Sequence, residues 1–134
     1  MIKPCVIGLG YVGLPILTSL SKKFKIVGYD INKKRISDLS KGIDVFKEIN
    51  STDLKKKNIC FTNNFNLIKK SNLFIVTVPT PIFKNKKPDL SHLKNVCQIL
   101  SKILKKKDII IFESTVYPGI TKNFCVHLLQ KKIA

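Results

Sequence analysis

The chain has 134 residues, 44% of them apolar, which suits one domain with a single buried core and excludes a disordered chain. No apolar run reaches the ~18 residues of a membrane span, and the N-terminus lacks a secretory layout, so neither membrane contact nor export is expected and the protein reads as cytoplasmic. The net charge of +17 raises nucleic acid as a partner, but it comes from 24 lysines and one arginine, Arg35, with the lysines clustered near helix ends, so the reading is a solvated basic surface and no nucleic acid.

The chain opens on an apolar strand over residues 2–7. It runs into Gly8-Leu9-Gly10-Tyr11-Val12-Gly13-Leu14-Pro15, a glycine-rich turn before a helix. Gly8 permits the sharp turn, Gly10 removes a side chain from the path of a pyrophosphate, and Gly13 lets the helix lie close on the sheet. The helix N-terminus adds unpaired N–H groups and a positive dipole end. Val12, Ile16, Leu17, Leu20 and Phe24 keep helical spacing over residues 12–23, with Pro15 tolerated in the first turn. A second strand over residues 25–29 ends at Asp30, and two parallel strands joined by a helix make a right-handed crossover.

Asp30 lies 22 residues after Gly8, close to the ~20-residue spacing at which a carboxylate accepts from the adenosine ribose hydroxyls and repels a 2′-phosphate. This favours NAD over NADP. Lys33, Lys34 and Arg35 weigh against that preference, because a cation there could neutralise a phosphate. Asp30 could also cap the helix expected over residues 32–41, which stops at Gly42.

Residues 43–58 are polar and lysine-rich and read as a loop, with a short helix starting near Ser51. A short strand over residues 58–62 and a short helix ending near Lys70 follow. Leu73 to Val78 is a continuous apolar run, as a central parallel strand should be. It ends in the rigid Pro79-Thr80-Pro81, where Thr80 would face a ligand at the strand's C-terminal end. A basic loop leads to Pro88-Asp89-Leu90-Ser91, where Asp89 or Ser91 caps a helix with the stripe Leu93, Val96, Cys97, Leu100, Ile103 and Leu104. Residues 108–112 form a fifth buried strand, followed by the polar turn Glu113 to Gly119 and a last helix over about 120–132.

The glycines, Asp30, Thr80 and Thr115 thus fall on one rim of one sheet. No CxxC pair suggests a metal or redox motif, and no metal site is expected. Cys5, Cys60 and Cys125 sit in apolar segments and read as buried thiols. His92 and His127 are isolated.

Five segments carry a resemblance: Ile7 to Pro15, Gly28 to Asn32, Val78 to Ile82, Pro88 to Ser91, and Glu113 to Gly119. In order and spacing they resemble the N-terminal part of the UDP-glucose/GDP-mannose dehydrogenase family, and within it the bacterial UDP-N-acetylglucosamine/galactosamine 6-dehydrogenases of surface-polysaccharide synthesis. The resemblance implies an α/β fold, a Rossmann-like doubly wound parallel sheet cut short before its sixth strand, with residues 1–134 as one NAD-binding domain. It implies oxidation of the C6 alcohol of a UDP-N-acetylhexosamine to a carboxylate by two hydride transfers to NAD, through a thiohemiacetal and a thioester on a cysteine. Carried over by position, Gly8, Gly10, Tyr11, Val12 and Gly13 would hold the pyrophosphate and Asp30 and Arg35 the adenosine ribose. Thr80 and Thr115 would line the way to the nicotinamide, and Thr115 would help position a catalytic water. The family's nucleophilic cysteine, its lysine and asparagine, its sugar-binding domain and its dimerising helix would follow Ala134. The chain is therefore expected to be the N-terminal fragment of a homodimeric enzyme, inactive alone. The alternative reading is a non-catalytic dinucleotide-binding module.

Overall fold

The computed structural model describes residues 1–113 and 125–130. Its elements are β1 (Pro4–Ile7), α1 (Gly13–Leu20), β2 (Ile26–Tyr29), α2 (Lys33–Ser40), α3 (Ser51–Leu54), β3 (Ile59–Thr62), a 3-10 turn (Phe65–Ile68), β4 (Leu73–Val76), α4 (Ser91–Ile103), β5 (Ile109–Phe112) and α5 (Val126–Gln130). The five strands form one parallel sheet in the order β3-β2-β1-β4-β5. The order reverses between β1 and β4, so the two halves wind away from β1 in opposite directions. Ligands of such sheets lie at the C-terminal ends of the strands beside that reversal.

The core follows from the alternation of side chains along each strand. On one face Cys5, Ile7, Phe74 and Val76 meet Leu93, Val96, Cys97 and Leu100 of α4 and Leu129 of α5. On the other, Val6, Ile26 and Ile75 meet Leu14 and Leu17 of α1, Leu39 of α2 and Leu54 of α3. Central β1 and β4 are buried on both faces, which accounts for their unbroken apolar sequence. Gly28 gives α1 room on the sheet, since a Cβ there would come within 2.5 Å of Leu17 Cδ1.

Several expectations need correction. α1 ends at Leu20 rather than at residue 23, and β4 ends at Val76 rather than at Val78. Asn32 caps α2 by accepting from Arg35 N–H at 3.0 Å, so Asp30 is free of that duty. At α4 the residue in the cap position is Leu90, and Asp89 accepts from Ser91 N–H one step earlier. Cys60 is exposed, because β3 is an edge strand and the face that carries Cys60 is left uncovered there. β5 is not fully buried either. Ile110 and Phe112 pack on the α4 face, while Ile109 and Ile111 point to the other face and are 58% and 40% exposed. The expected last helix is described only over α5, and Ser114 to Gly119, with Thr115, lie outside the described residues.

Candidate functional site

At the C-terminal rim, between β1 and β4, opens a groove of about 800 Å³. Gly8, Gly10, Tyr11, Val12, Asp30, Arg35 and Thr80 all line it, together with Thr77, Phe46, His92, Asn95 and Glu113. Gly13 does not line it and stands just beneath.

The three glycines serve three purposes. Gly8 has φ +96°, a left-handed conformation that favours glycine, and a Cβ there would press on the Thr77–Val78 peptide at 3.0 Å. A Cβ on Gly13 would lie 1.8 Å from Gly8 O and 2.4 Å from Thr77 Oγ1, so this glycine fixes how closely α1 docks. A Cβ on Gly10 would meet nothing within 4 Å. No contact within the described chain thus requires a glycine at position 10, and the space beside it is open to a ligand. The N–H groups of Tyr11, Val12 and Gly13 donate to no described residue, and they stand at the positive end of α1. An anionic group with several acceptor oxygens fits this cradle.

The turn is held from three directions. Gly8 N–H donates to Tyr29 O at 2.9 Å. Thr77 Oγ1 donates within reach of Gly8 O at 2.6 Å and Ile7 O at 3.2 Å. Leu9 is gripped through both of its flanking peptides. Its N–H donates to Asp30 Oδ2 at 2.9 Å, and its C=O accepts from Arg35 Nε at 2.8 Å. The other oxygen of Asp30 accepts from Asn32 N–H at 2.9 Å. Asp30 thus stands at the end of β2 on the groove wall, with carboxylate lone pairs still available, since each oxygen can accept more than one hydrogen bond.

Arg35 is buried, and its Nη1 pairs with Asp44 Oδ1 at 2.8 Å. Asp44 also accepts from the N–H groups of Phe46, Glu48 and Ile49 at 3.0–3.1 Å. Burial pushes the Asp44 carboxyl up, but Arg35 and the three N–H groups outweigh it and hold the group below its ordinary range. Arg35 Nη2 is buried with no hydrogen-bond partner among the described residues. A buried donor of this kind ordinarily has an acceptor, and none of the described residues provides one. The Phe46 ring lies 4.6 Å from the guanidinium and stacks on Tyr11 at 4.3 Å.

Sequence reasoning missed Thr77, Asp44 and Phe46. Thr77 reads as part of a strand, and the other two sit in a polar loop without periodicity. None of the four cysteines lines the groove. Burial raises the Cys5 and Cys97 thiols far above their ordinary range, and it raises the Cys125 thiol. Among the described residues no cluster of ligating side chains could hold a metal, and no helix is long and apolar enough to cross a membrane.

A phosphate cradle at a strand–turn–helix junction, an acidic residue closing the second strand and the 3-2-1-4-5 strand order define a dinucleotide-binding Rossmann domain. More narrowly, residues 2–134 match the NAD binding domain of the UDP-glucose/GDP-mannose dehydrogenase family, and the chain belongs to that family. It is 49% identical over 131 residues to a UDP-N-acetyl-D-glucosamine 6-dehydrogenase of Pseudomonas aeruginosa, covering 97% of this chain and 31% of that one. A protein of the same description from Salmonella typhi is 43% identical over 131 residues, with 97% and 31% covered. Among solved structures, a UDP-D-ManNAc dehydrogenase from Pyrococcus horikoshii superposes with a TM-score of 0.87 at 28% identity, covering 96% of this chain and 33% of that one. The chain thus spans about a third of the length of the relatives it matches.

Proposed function

We propose that residues 1–134 form one NAD-binding domain, and that it serves the oxidation of a UDP-N-acetylhexosamine at C6 to the carboxylate, for surface-polysaccharide synthesis. The observation that carries the cofactor reading is Gly10: a position empty of protein, above unengaged N–H groups, on a groove that ends at Asp30. Gly8, Gly10, Tyr11, Val12 and Gly13 build the pyrophosphate cradle, Asp30 and Arg35 Nη2 take the adenosine ribose, and Thr80 stands on the path to the nicotinamide. Thr115 is assigned to the same path and to positioning a water. When bound, NAD supplies the hydride acceptor. The chain's own residues bind and orient it.

A four-electron oxidation from alcohol to carboxylate consumes two NAD per sugar. The family chemistry asks for a reactive thiol, and the cysteines of this chain do not offer one, because three are buried with raised pKa values and Cys60 stands on edge strand β3 away from the groove. The substrate reading rests on the relatives named for UDP-N-acetyl-D-glucosamine. The working form is proposed to be a cytoplasmic homodimer.

Calorimetric titration with NAD⁺ and NADP⁺ tests the cofactor assignment. Saturable NAD⁺ binding with weaker NADP⁺ binding is expected, and absence of NAD⁺ binding by the folded protein overturns it. For the substrate, two NADH formed per UDP-N-acetylglucosamine or UDP-N-acetylgalactosamine is expected of the active enzyme. Turnover of UDP-glucose in preference to both would refute the choice of sugar. Light scattering at the same stage tests the dimer.

A further inference from the structure

Arg35 poses a problem for a groove that takes NAD. Beside the acidic residue that closes β2, a cation is the group that accepts the 2′-phosphate of NADP. Arg35 is such a cation, it lines the groove, and one of its nitrogens has no acceptor. Asp30 alone would leave the adenosine end with one negative and one positive charge, which is little reason to refuse a phosphate.

The counterweight is Asp44, nine residues further on. Its side chain is fully buried and takes Arg35 Nη1 at 2.8 Å, and three backbone N–H groups from Phe46, Glu48 and Ile49 keep it in place. The Phe46 ring, on the same loop, lies over the guanidinium at 4.6 Å. Lys34 is spent elsewhere, since its Nζ pairs with Asp38 at 2.8 Å on the outer side of α2. Asp44 therefore matches the charge of Arg35 one to one, and of the two charged residues that line this end of the groove Asp30 is the one left unneutralised by an ion pair. We propose that Asp44 is a specificity-determining positioning residue: by neutralising Arg35 from behind it leaves that side chain able to donate to a neutral ribose hydroxyl but unable to favour a second phosphate. This rests on the NAD reading above and adds to it a residue that touches no cofactor atom.

The test is a paired titration of the protein with NAD⁺ and NADP⁺, in the wild type and in Asp44→Asn. Asparagine keeps the shape and one acceptor oxygen and removes the charge. The expected result is a rise of roughly tenfold or more in NADP⁺ affinity relative to NAD⁺, the scale of one charge-assisted hydrogen bond gained by a phosphate. A merely structural Asp44 would weaken both cofactors alike and leave their ratio unchanged, and that result overturns the inference. Should Asp44→Asn fail to fold, Asp44→Ser and Asp44→Glu are compared, the first removing the charge and the second keeping it. The ratio is expected to move toward NADP⁺ in the first only, and an equal ratio in the two overturns the inference. If the unaltered protein binds no NAD⁺, the cofactor reading itself has failed. If it binds NAD⁺ and the ratio is unmoved in Asp44→Asn, only the inference has failed.

Discussion

Substituting alanine at Gly13 and at Gly10 should separate stability from binding, although the two glycines are three residues apart. At Gly13 the added methyl would sit 1.8 Å from Gly8 O and 2.4 Å from Thr77 Oγ1. Ordinary contacts need well over 3 Å, so α1 must back away from β1 by more than an ångström. The obstacle is a backbone carbonyl at the end of a central strand, which cannot swing aside as a side-chain tip can. Overpacking of this kind costs about 1–3 kcal/mol; against an immovable backbone carbonyl the upper end, about 3 kcal/mol, applies, and the gain of about 1 kcal/mol from alanine's helix propensity leaves a net loss of about 2 kcal/mol. In urea, with a slope of about 2 kcal/mol per molar for a chain of this size, the midpoint should fall by about 1 M. At Gly10 the methyl meets no protein atom within 4 Å and the backbone is not left-handed, so the midpoint should stay within experimental error. NAD⁺ binding by the Gly10 variant should nonetheless drop by tenfold or more, because the methyl occupies the approach of the pyrophosphate. A Gly13→Ala protein as stable as the wild type, or a Gly10→Ala protein that binds NAD⁺ unchanged, would refute this division of roles.

Three other outcomes follow from the same geometry. Thr77→Val removes the hydroxyl that bridges to Gly8 O and Ile7 O and should lower stability by about 1–2 kcal/mol, while Thr77→Ser should recover most of the loss; thermal melts of the three proteins compare them. Phe74→Ala, at a fully buried position on β4, should cost about 3–5 kcal/mol and leave little folded protein at 37 °C by circular dichroism. The folded-state pKa of Asp44 lies below its unfolded value, so its contribution is complete above the ordinary carboxylate range and is lost as pH falls through the lowered value. Acid titration of stability should show this loss in the wild type below about pH 4 and a shallower fall in Asp44→Asn.

Much of the scaffold was legible because its elements report on themselves. β1 and β4 are apolar throughout since both their faces are covered, and α4 shows its buried stripe at Leu93, Val96, Cys97 and Leu100. Asp30 was legible from its distance to the glycine turn. The misjudged features depend on neighbours far along the chain. Cys60 looks buried in sequence, yet β3 is an edge strand, a property of strand order and not of residues 59–62. Ile109 and Ile111 look like core for the same reason, although β5 ends the described sheet on the other side. Asp44 lies in a lysine-rich loop and shows nothing locally, since its meaning comes from a buried arginine on a preceding helix.

The hold on Leu9, by Asp30 at its N–H and by Arg35 at its C=O, has a consequence for how the cradle comes into being. Those partners lie 21 and 26 residues away, so the planes of the two peptides flanking Leu9 are set only once β2 and α2 have docked. The glycine turn is a non-local structure with a local sequence. Preorganisation of the anion site is thereby tied to tertiary assembly, and a dinucleotide pays little ordering entropy on arrival. The Leu9 amide should be protected from hydrogen exchange even without ligand, with an opening energy near that of the whole domain rather than that of a loop. A glycine pattern severed from its distant carboxylate and guanidinium would have the composition of the site without its rigidity.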